Sequence, residues 1–434
     1  MTILGNTAIY PRVDEETALY RKIMWRIVPL CIVCVFFSHL DRINISFAKN
    51  QMQAELGLSD AAYGIAAGVF FVGYVLFEVP SSLGLRRYGA PSWVCRIMVS
   101  WGLATAALMF ARSEYALYGL RFLIGVMEAG FAPALLFYLT CWFPRRHLAK
   151  VNGLFFLSLP LAGALGGPVS GLVLAYMDGW LGLQGWHWLF LVTGLPCCLV
   201  GLLVIRHFDR TIDEARWLTA DQKRVLKNNL EQDSRETKPG YSSIWRVLFT
   251  PEVAALAAIY FTVKMASYGM NFWMPNLIAK SGIDGQLTIG LLTALPYVAA
   301  CIAMVVITRR ADASGNRRGA LIGCVLMASL GYVIACGFYE VPVAMLIGLT
   351  LATIGSFVAV PLFCTIPQTV FSGIGLATAF AAINSIAQLS GLVSPVLVGW
   401  VNDITGTHHL GLLISAPAGI VAAALILRFV PKKT

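Results

Sequence analysis

Charge is scarce in this chain. Of its 434 residues only 12% are Asp, Glu, Lys or Arg, about half the share found in ordinary soluble domains. A soluble fold so poor in charge could not cover its surface with polar groups. Apolar residues make up 58% and the mean hydropathy is +0.73, so lipid must solvate most of the surface. Histidine is also rare, with six scattered residues. No HExxH group, GxSxG elbow or Walker A loop occurs, which argues against an enzyme and leaves no catalytic residue to name. Transport by such a chain must draw on ion or solute gradients. Residues 1–20 are polar and mixed in charge, so no cleavable signal peptide is expected and the first apolar run anchors the chain.

Two features invite other readings. The net charge of +10 suits nucleic acid only if it clusters on one soluble face. Here the basic residues sit in short loops between apolar runs, and nucleic acid is not an expected partner. The ten cysteines lie mostly inside those runs. Cys31-x-x-Cys34 has redox spacing but no second pair, and these thiols read as small apolar packing groups. No metal or cofactor is expected.

Twelve runs are long enough to cross a bilayer core of roughly 30 Å as helices. They fall near 24–47, 61–83, 92–111, 115–140, 150–176, 186–206, 252–279, 288–308, 319–338, 342–365, 375–401 and 409–430. With the N-terminus inside, 26 of the 32 Lys and Arg residues fall on the cytoplasmic face. Lys49, Arg112 and Lys280 fall on the other face, and Arg42, Arg121 and Lys264 fall within spans. That asymmetry supports the span count and an orientation with both termini cytoplasmic. The expected class is an all-α membrane protein of two six-helix bundles, 1–206 and 251–434. The hydrophilic stretch 207–250 joins them as a cytoplasmic loop, with a surface helix over 213–234. The basic turns around Gly89 and Gly315 echo each other, as internal repeats in secondary transporters do. Glycines cluster in span 5 (163–171) and span 11 (Gly391, Gly399), where they allow either tight packing or a flexible seam.

Charges inside spans are costly, and each is a functional candidate. Arg42 in span 1 presents a planar fork suited to a carboxylate. Its neighbour Asp41 points to a different face of the helix. Glu128 in span 4, withdrawn from water, is placed to take and give a proton. Arg121, two turns earlier on the same face, either supports Glu128 or ties helices together. Glu78, near the cytoplasmic end of span 2, suggests gating or packing. Lys264 lies near the middle of span 7, the counterpart of span 1 in a six-plus-six repeat. Two cations facing one cavity would suit a dicarboxylate. Tyr74, Tyr268, Phe272, Trp273, Asn384, Ser385 and Gln388 supply aromatic and amide groups for the same cavity.

Five segments carry a family resemblance: LDRINISFAK (40–49), FFVGYVLFEVPSSL (70–83), RFLIGVMEAGFAPALLFYLTCWFPRR (121–146), YGMNFWMP (268–275) and INSIAQLSGLVSPVLVGW (383–400). Together they resemble the major facilitator superfamily, and within it the anion:cation symporters, over about residues 20–430. That resemblance implies two bundles rocking about a central site. It implies that Arg42 binds the substrate carboxylate and that Asp41 and Glu128 couple protons. It also implies that Tyr74, Asn384 and Gln388 contact substrate. Asp312 keeps the acid of the 8–9 loop, whereas Leu85 replaces its counterpart in the 2–3 loop. His39 and Lys264 depart from the pattern. The expected activity is proton-coupled import of a small organic carboxylate (a sugar acid, a tartrate-like acid or an aromatic dicarboxylate) across the inner membrane by a monomer. The alternatives are a proton-driven efflux antiporter, suggested by GALGGPVSG in span 5, and more remotely a non-transporting sensor.

Overall fold

A computed structural model describes residues 13–235, 250–371 and 373–431. Arg12, Lys238, Arg246, Lys432 and Lys433, counted above on the basic face, lie outside the described residues. So does 236–249 of the expected loop.

The described chain is helical and contains no strand. The helices are α1 Val13–Leu56, α2 Asp60–Tyr88, α3 Ala90–Ala107, α4 Glu114–Glu128, α5 Phe131–Thr140, α6 Arg145–Tyr176, α7 Gly185–His207 and α8 Ala220–Arg235. They continue with α9 Pro251–Lys280, α10 Gln286–Ser314, α11 Arg317–Gly337, α12 Pro342–Cys364, α13 Pro367–Val370, α14 Gly373–Gln388, α15 Ser390–Thr405, α16 Leu410–Leu413 and α17 Ser415–Phe429. Twelve helical segments are long and apolar enough to cross a membrane, in the order expected. Large apolar side chains such as Leu199, Ile302 and Val343 stay exposed on the bundle surface, where lipid would cover them.

Two spans are interrupted, which the hydropathy pattern does not reveal. Span 4 breaks after Glu128: Ala129 is extended and Gly130 has φ 81°. Pro133 contributes, having no N–H for the Ala129 carbonyl. A side chain at Gly130 would also meet Ser81 of α2. Span 11 steps at Leu389, between α14 and α15. Glu128 and Gln388 are therefore the last residues of their helices.

The packing repeats with a period of six spans. Span 1 packs on spans 5 and 6, as span 7 packs on 11 and 12. Span 3 packs on 4 and 6, as span 9 packs on 10 and 12. Across the middle, span 2 meets span 11, span 5 meets span 8, and span 1 meets span 7. Glycines line both outer seams. A Cβ on Gly167 would sit 2.6 Å from the Gly290 carbonyl, and one on Gly391 would sit 2.5 Å from the Phe71 ring. Of the two roles open to these glycines, close backbone approach is the one seen.

The surface helix begins at Ala220, later than expected, because 209–219 forms turns. Trp217 stacks on Trp142 and accepts from Lys22 through its carbonyl at 2.6 Å. Asn229 donates to Glu16 and Tyr20 of α1. The segment thus straps to the ends of the first half that carry its basic loops. On it, the Lys227 ammonium bonds the exposed Asp213 carboxylate and holds that carboxyl below its ordinary range.

Candidate functional site

Span 1 has a Ser38-His39-Leu40-Asp41-Arg42-Ile43-Asn44 core whose polar residues face in two directions. Arg42 donates from Nε (2.9 Å) and Nη2 (2.6 Å) to one oxygen, Oε1, of Glu128. Ser38 donates to the same oxygen at 2.8 Å. Oε2 of Glu128 is buried with no partner. The expected substrate anchor and the expected proton carrier are therefore each other's partners. The helix break after Glu128 leaves this carboxylate at the end of α4, buried against span 1. Arg42 retains some exposure, at 14% of its side chain, and its guanidinium lies over Phe70 and Tyr74.

Asp41 turns into the first half. Its Oδ1 accepts weakly from Asn44, whose amide also donates to Thr193. Its Oδ2 has no hydrogen-bond partner. Arg121 is fully buried and donates from Nε to the Ala66 carbonyl, while Nη1 and Nη2 have no partner. Arg121 and Arg42 both lie 5.3 Å from the Phe70 ring. The two arginines thus share one aromatic ring, Arg42 held to Glu128 and Arg121 left with two unpaired nitrogens.

The second half contributes Lys264, Tyr268 and Gln388. Lys264 donates to Gln388 Oε1 at 3.2 Å, and Tyr268 donates to the same oxygen at 2.5 Å. Tyr268 packs against Phe71 across the middle. Lys264, Tyr268 and Gln388 meet at one oxygen, and Arg42 and Tyr74 meet beside Phe70, whose neighbour Phe71 packs on Tyr268.

Other expected site residues lie elsewhere. Asn384 and Ser385 donate to Glu78, at 3.4 and 2.8 Å. They form a polar clasp between span 2 and span 11. Asp312 is exposed and pairs with Arg317 at 2.9 Å. Phe272 stacks beside Tyr268. Trp273 is buried at the opposite end of the bundle from the basic loops, against Lys49 and Tyr63.

That end holds a lock that sequence reasoning missed. Lys49, read above as an outer-face charge, is 1% exposed. It pairs with Asp60 at 2.9 Å and donates to Asn276 of span 7 at 3.0 Å. Asp403 of span 11 accepts from the backbone N–H groups of Asp60 and Ala61, capping α2 from the other half. Asn402 donates to Asp60 as well. The available signal was spacing: Lys49 lies two helical turns beyond Arg42 on the same face.

The sequence matches the family model of the Major Facilitator Superfamily over residues 31–287 and 282–434. A Pseudomonas putida protein named for metabolite transport, NicT, is 40% identical over 98% of both chains. An Agrobacterium vitis protein named for tartrate transport is 38% identical over 95% of both. A quinolone resistance transporter of Acinetobacter baumannii is 36% identical over 92% of both. Among solved structures, the Escherichia coli xylose transporter XylE in a partially occluded inward-open conformation superposes with a TM-score of 0.74. It is 12% identical and covers 94% of this chain and 99% of that one.

Proposed function

This chain belongs to the Major Facilitator Superfamily, and we propose that within it the protein is a proton-coupled symporter importing a small organic carboxylate by alternating access. Organic-anion transport accords with the relatives named for tartrate and metabolite transport. One observation carries the rest: Arg42 directs two N–H donors onto the buried Glu128 carboxylate between spans 1 and 4.

A substrate carboxylate has the same shape and charge as that of Glu128, and it can take the same two donors. Glu128 then loses its cation in a buried site. An unpaired buried carboxylate is costly, so it takes a proton instead. Binding at Arg42 and protonation of Glu128 become one linked event. When substrate leaves, Arg42 recovers Glu128 and the proton is released. Asp41 is the second protonatable group on the path. The clasp at Glu78 and the lock at Lys49 close opposite ends, and the glycine seams let the halves rock between them. The protein works as a monomer in the inner membrane with both termini cytoplasmic. It needs no cofactor besides the proton.

Uptake of labelled carboxylic acids into proteoliposomes tests this. Arg42→Ala is expected to abolish uptake while keeping the elution profile of folded protein; undiminished uptake by Arg42→Ala overturns the proposal.

Proton-driven efflux is the second reading, favoured by the relative named for quinolone resistance. The span 5 glycines that suggested it line the seam with span 8, which either direction of transport can use. Accumulation of acid down an inward proton gradient separates the two.

A further inference from the structure

Two short turns between neighbouring spans are built alike and charged differently. Gly89 (φ 78°) ends α2, and Gly315 (φ 63°) ends α10. Registered on these glycines, Arg86 rather than Leu85 holds the place of Asp312. In the second half Asp312 pairs with Arg317 at 2.9 Å. The first half offers no such acid, since residues 79–113 contain neither Asp nor Glu. Arg86, Arg87 and Arg96 are exposed there. Arg210, in the segment after α7, joins them and donates from Nη2 to the Tyr88 carbonyl at 3.2 Å. Asp209 and Glu214, close to Arg210 in sequence, accept instead from the Trp217 indole and the Arg210 backbone N–H. Among the described residues none of these four guanidinium groups stands in an ion pair.

Their arrangement differs from that of scattered loop arginines. Tyr88 and Trp93 stack with ring centroids 5.6 Å apart and planes 5° from parallel. The indole is pinned: its Nε1 donates to Ser81 at 3.0 Å, and Gly84 leaves no room for a Cβ beside it. The Arg87 guanidinium lies 5.4 Å from the Tyr88 ring and that of Arg96 lies 4.4 Å from the Trp93 ring. Arg210, held on the Tyr88 carbonyl, brings a third guanidinium to the same pair. Apolar side chains lead away from the platform. Leu83 and Val79, one and two turns before Arg87 on α2, stay exposed, as does Leu103, two turns after Arg96 on α3.

We propose that this arginine–aromatic platform binds the headgroup of an anionic phospholipid, whose phosphate supplies the negative charge that Asp312 supplies in the second half. Guanidinium forks hold phosphate oxygens in pairs, and basic clusters at the ends of spans attract anionic headgroups. The acyl chains lie along Leu83, Val79 and Leu103. Free phosphate would use the arginines but not those side chains. The site is more than three helical turns from Tyr74 along α2. It is separate from the Arg42–Glu128 pair and stands whether or not the transport reading does.

The test mixes purified protein in detergent with equal amounts of phosphatidylglycerol and phosphatidylcholine of the same acyl chains, and counts bound lipid by native mass spectrometry. The wild type is expected to retain phosphatidylglycerol over phosphatidylcholine by on the order of tenfold, one arginine near an anionic headgroup being worth about fivefold. Combined Arg87→Gln, Arg96→Gln and Arg210→Gln are expected to erase that preference. Removing as many charges from the other turn, by Arg309→Gln, Arg310→Gln and Arg317→Gln, is expected to leave it. Arg86→Asp, which puts an acid at the place of Asp312, should alone lower the preference about fivefold or more, and it decides the matter if the triple variant does not fold. No preference in the wild type, equal loss in the two triple variants, or an undiminished preference in Arg86→Asp overturns the proposal. So does displacement of the lipid by inorganic phosphate as readily as by phosphatidylglycerol.

Discussion

Glu128→Gln is the substitution that separates binding from coupling. In the wild type, three donors converge on Glu128 Oε1: Arg42 Nε, Arg42 Nη2 and Ser38 Oγ, at 2.9, 2.6 and 2.8 Å. A substrate carboxylate must displace that oxygen. Close charge pairs in desolvated sites are coupled by about 1.5 kcal/mol or more, and 1.4 kcal/mol is about a factor of ten in affinity. Glutamine keeps the shape but removes the competing charge. Substrate is therefore expected to bind roughly tenfold more tightly or better. The protein itself is expected to lose about 3 kcal/mol of stability, because Arg42 is left without its carboxylate. With no proton to carry, Glu128→Gln should exchange labelled for unlabelled substrate but fail to accumulate it under a proton gradient. Counterflow and gradient-driven uptake in the same proteoliposomes measure the two separately. Normal accumulation by Glu128→Gln, or affinity no tighter than wild type, would refute the competition argument.

Two further outcomes follow from the packing. Asp403→Ala removes the carboxylate that caps α2 from the opposite half, a cap worth about 1 kcal/mol. In that background a cysteine placed at Asn276, buried in the lock, should react several-fold faster with a membrane-impermeant maleimide; an unchanged rate would show that Asp403 does not hold that end shut. Gly167→Leu pushes a side chain into the Gly290 backbone, an overpacking of about 1–3 kcal/mol. It should leave membrane insertion intact while stopping transport, and wild-type uptake rates would mean the seam tolerates separation.

The crossing helices were legible because lipid demands runs of about 20 apolar residues, and the basic loops fixed their count. Their interruptions were not, since a break at Ala129–Gly130 leaves hydropathy unchanged. Arg42, Glu128 and Lys264 stood out because charge inside a span is costly. Their partners did not, because the Arg42–Glu128 contact joins residues 86 positions apart and depends on how spans 1 and 4 pack. Lys49 was passed over for a simpler reason. The apolar run ends at 47, whereas α1 continues to Leu56 and carries the lysine into the interior. Residue type alone groups Trp273 and Asn384 with the site at Arg42. Helical phase turns Trp273 toward Lys49 and Asn384 toward Glu78.

Substrate-induced proton uptake tests the central claim most directly. Proteoliposomes loaded with a pH dye are challenged with mono- and dicarboxylic acids, using wild type and Arg42→Ala. Internal acidification that depends on particular acids, and disappears in Arg42→Ala, is the predicted result. Acid uptake by label with no accompanying proton movement would contradict it.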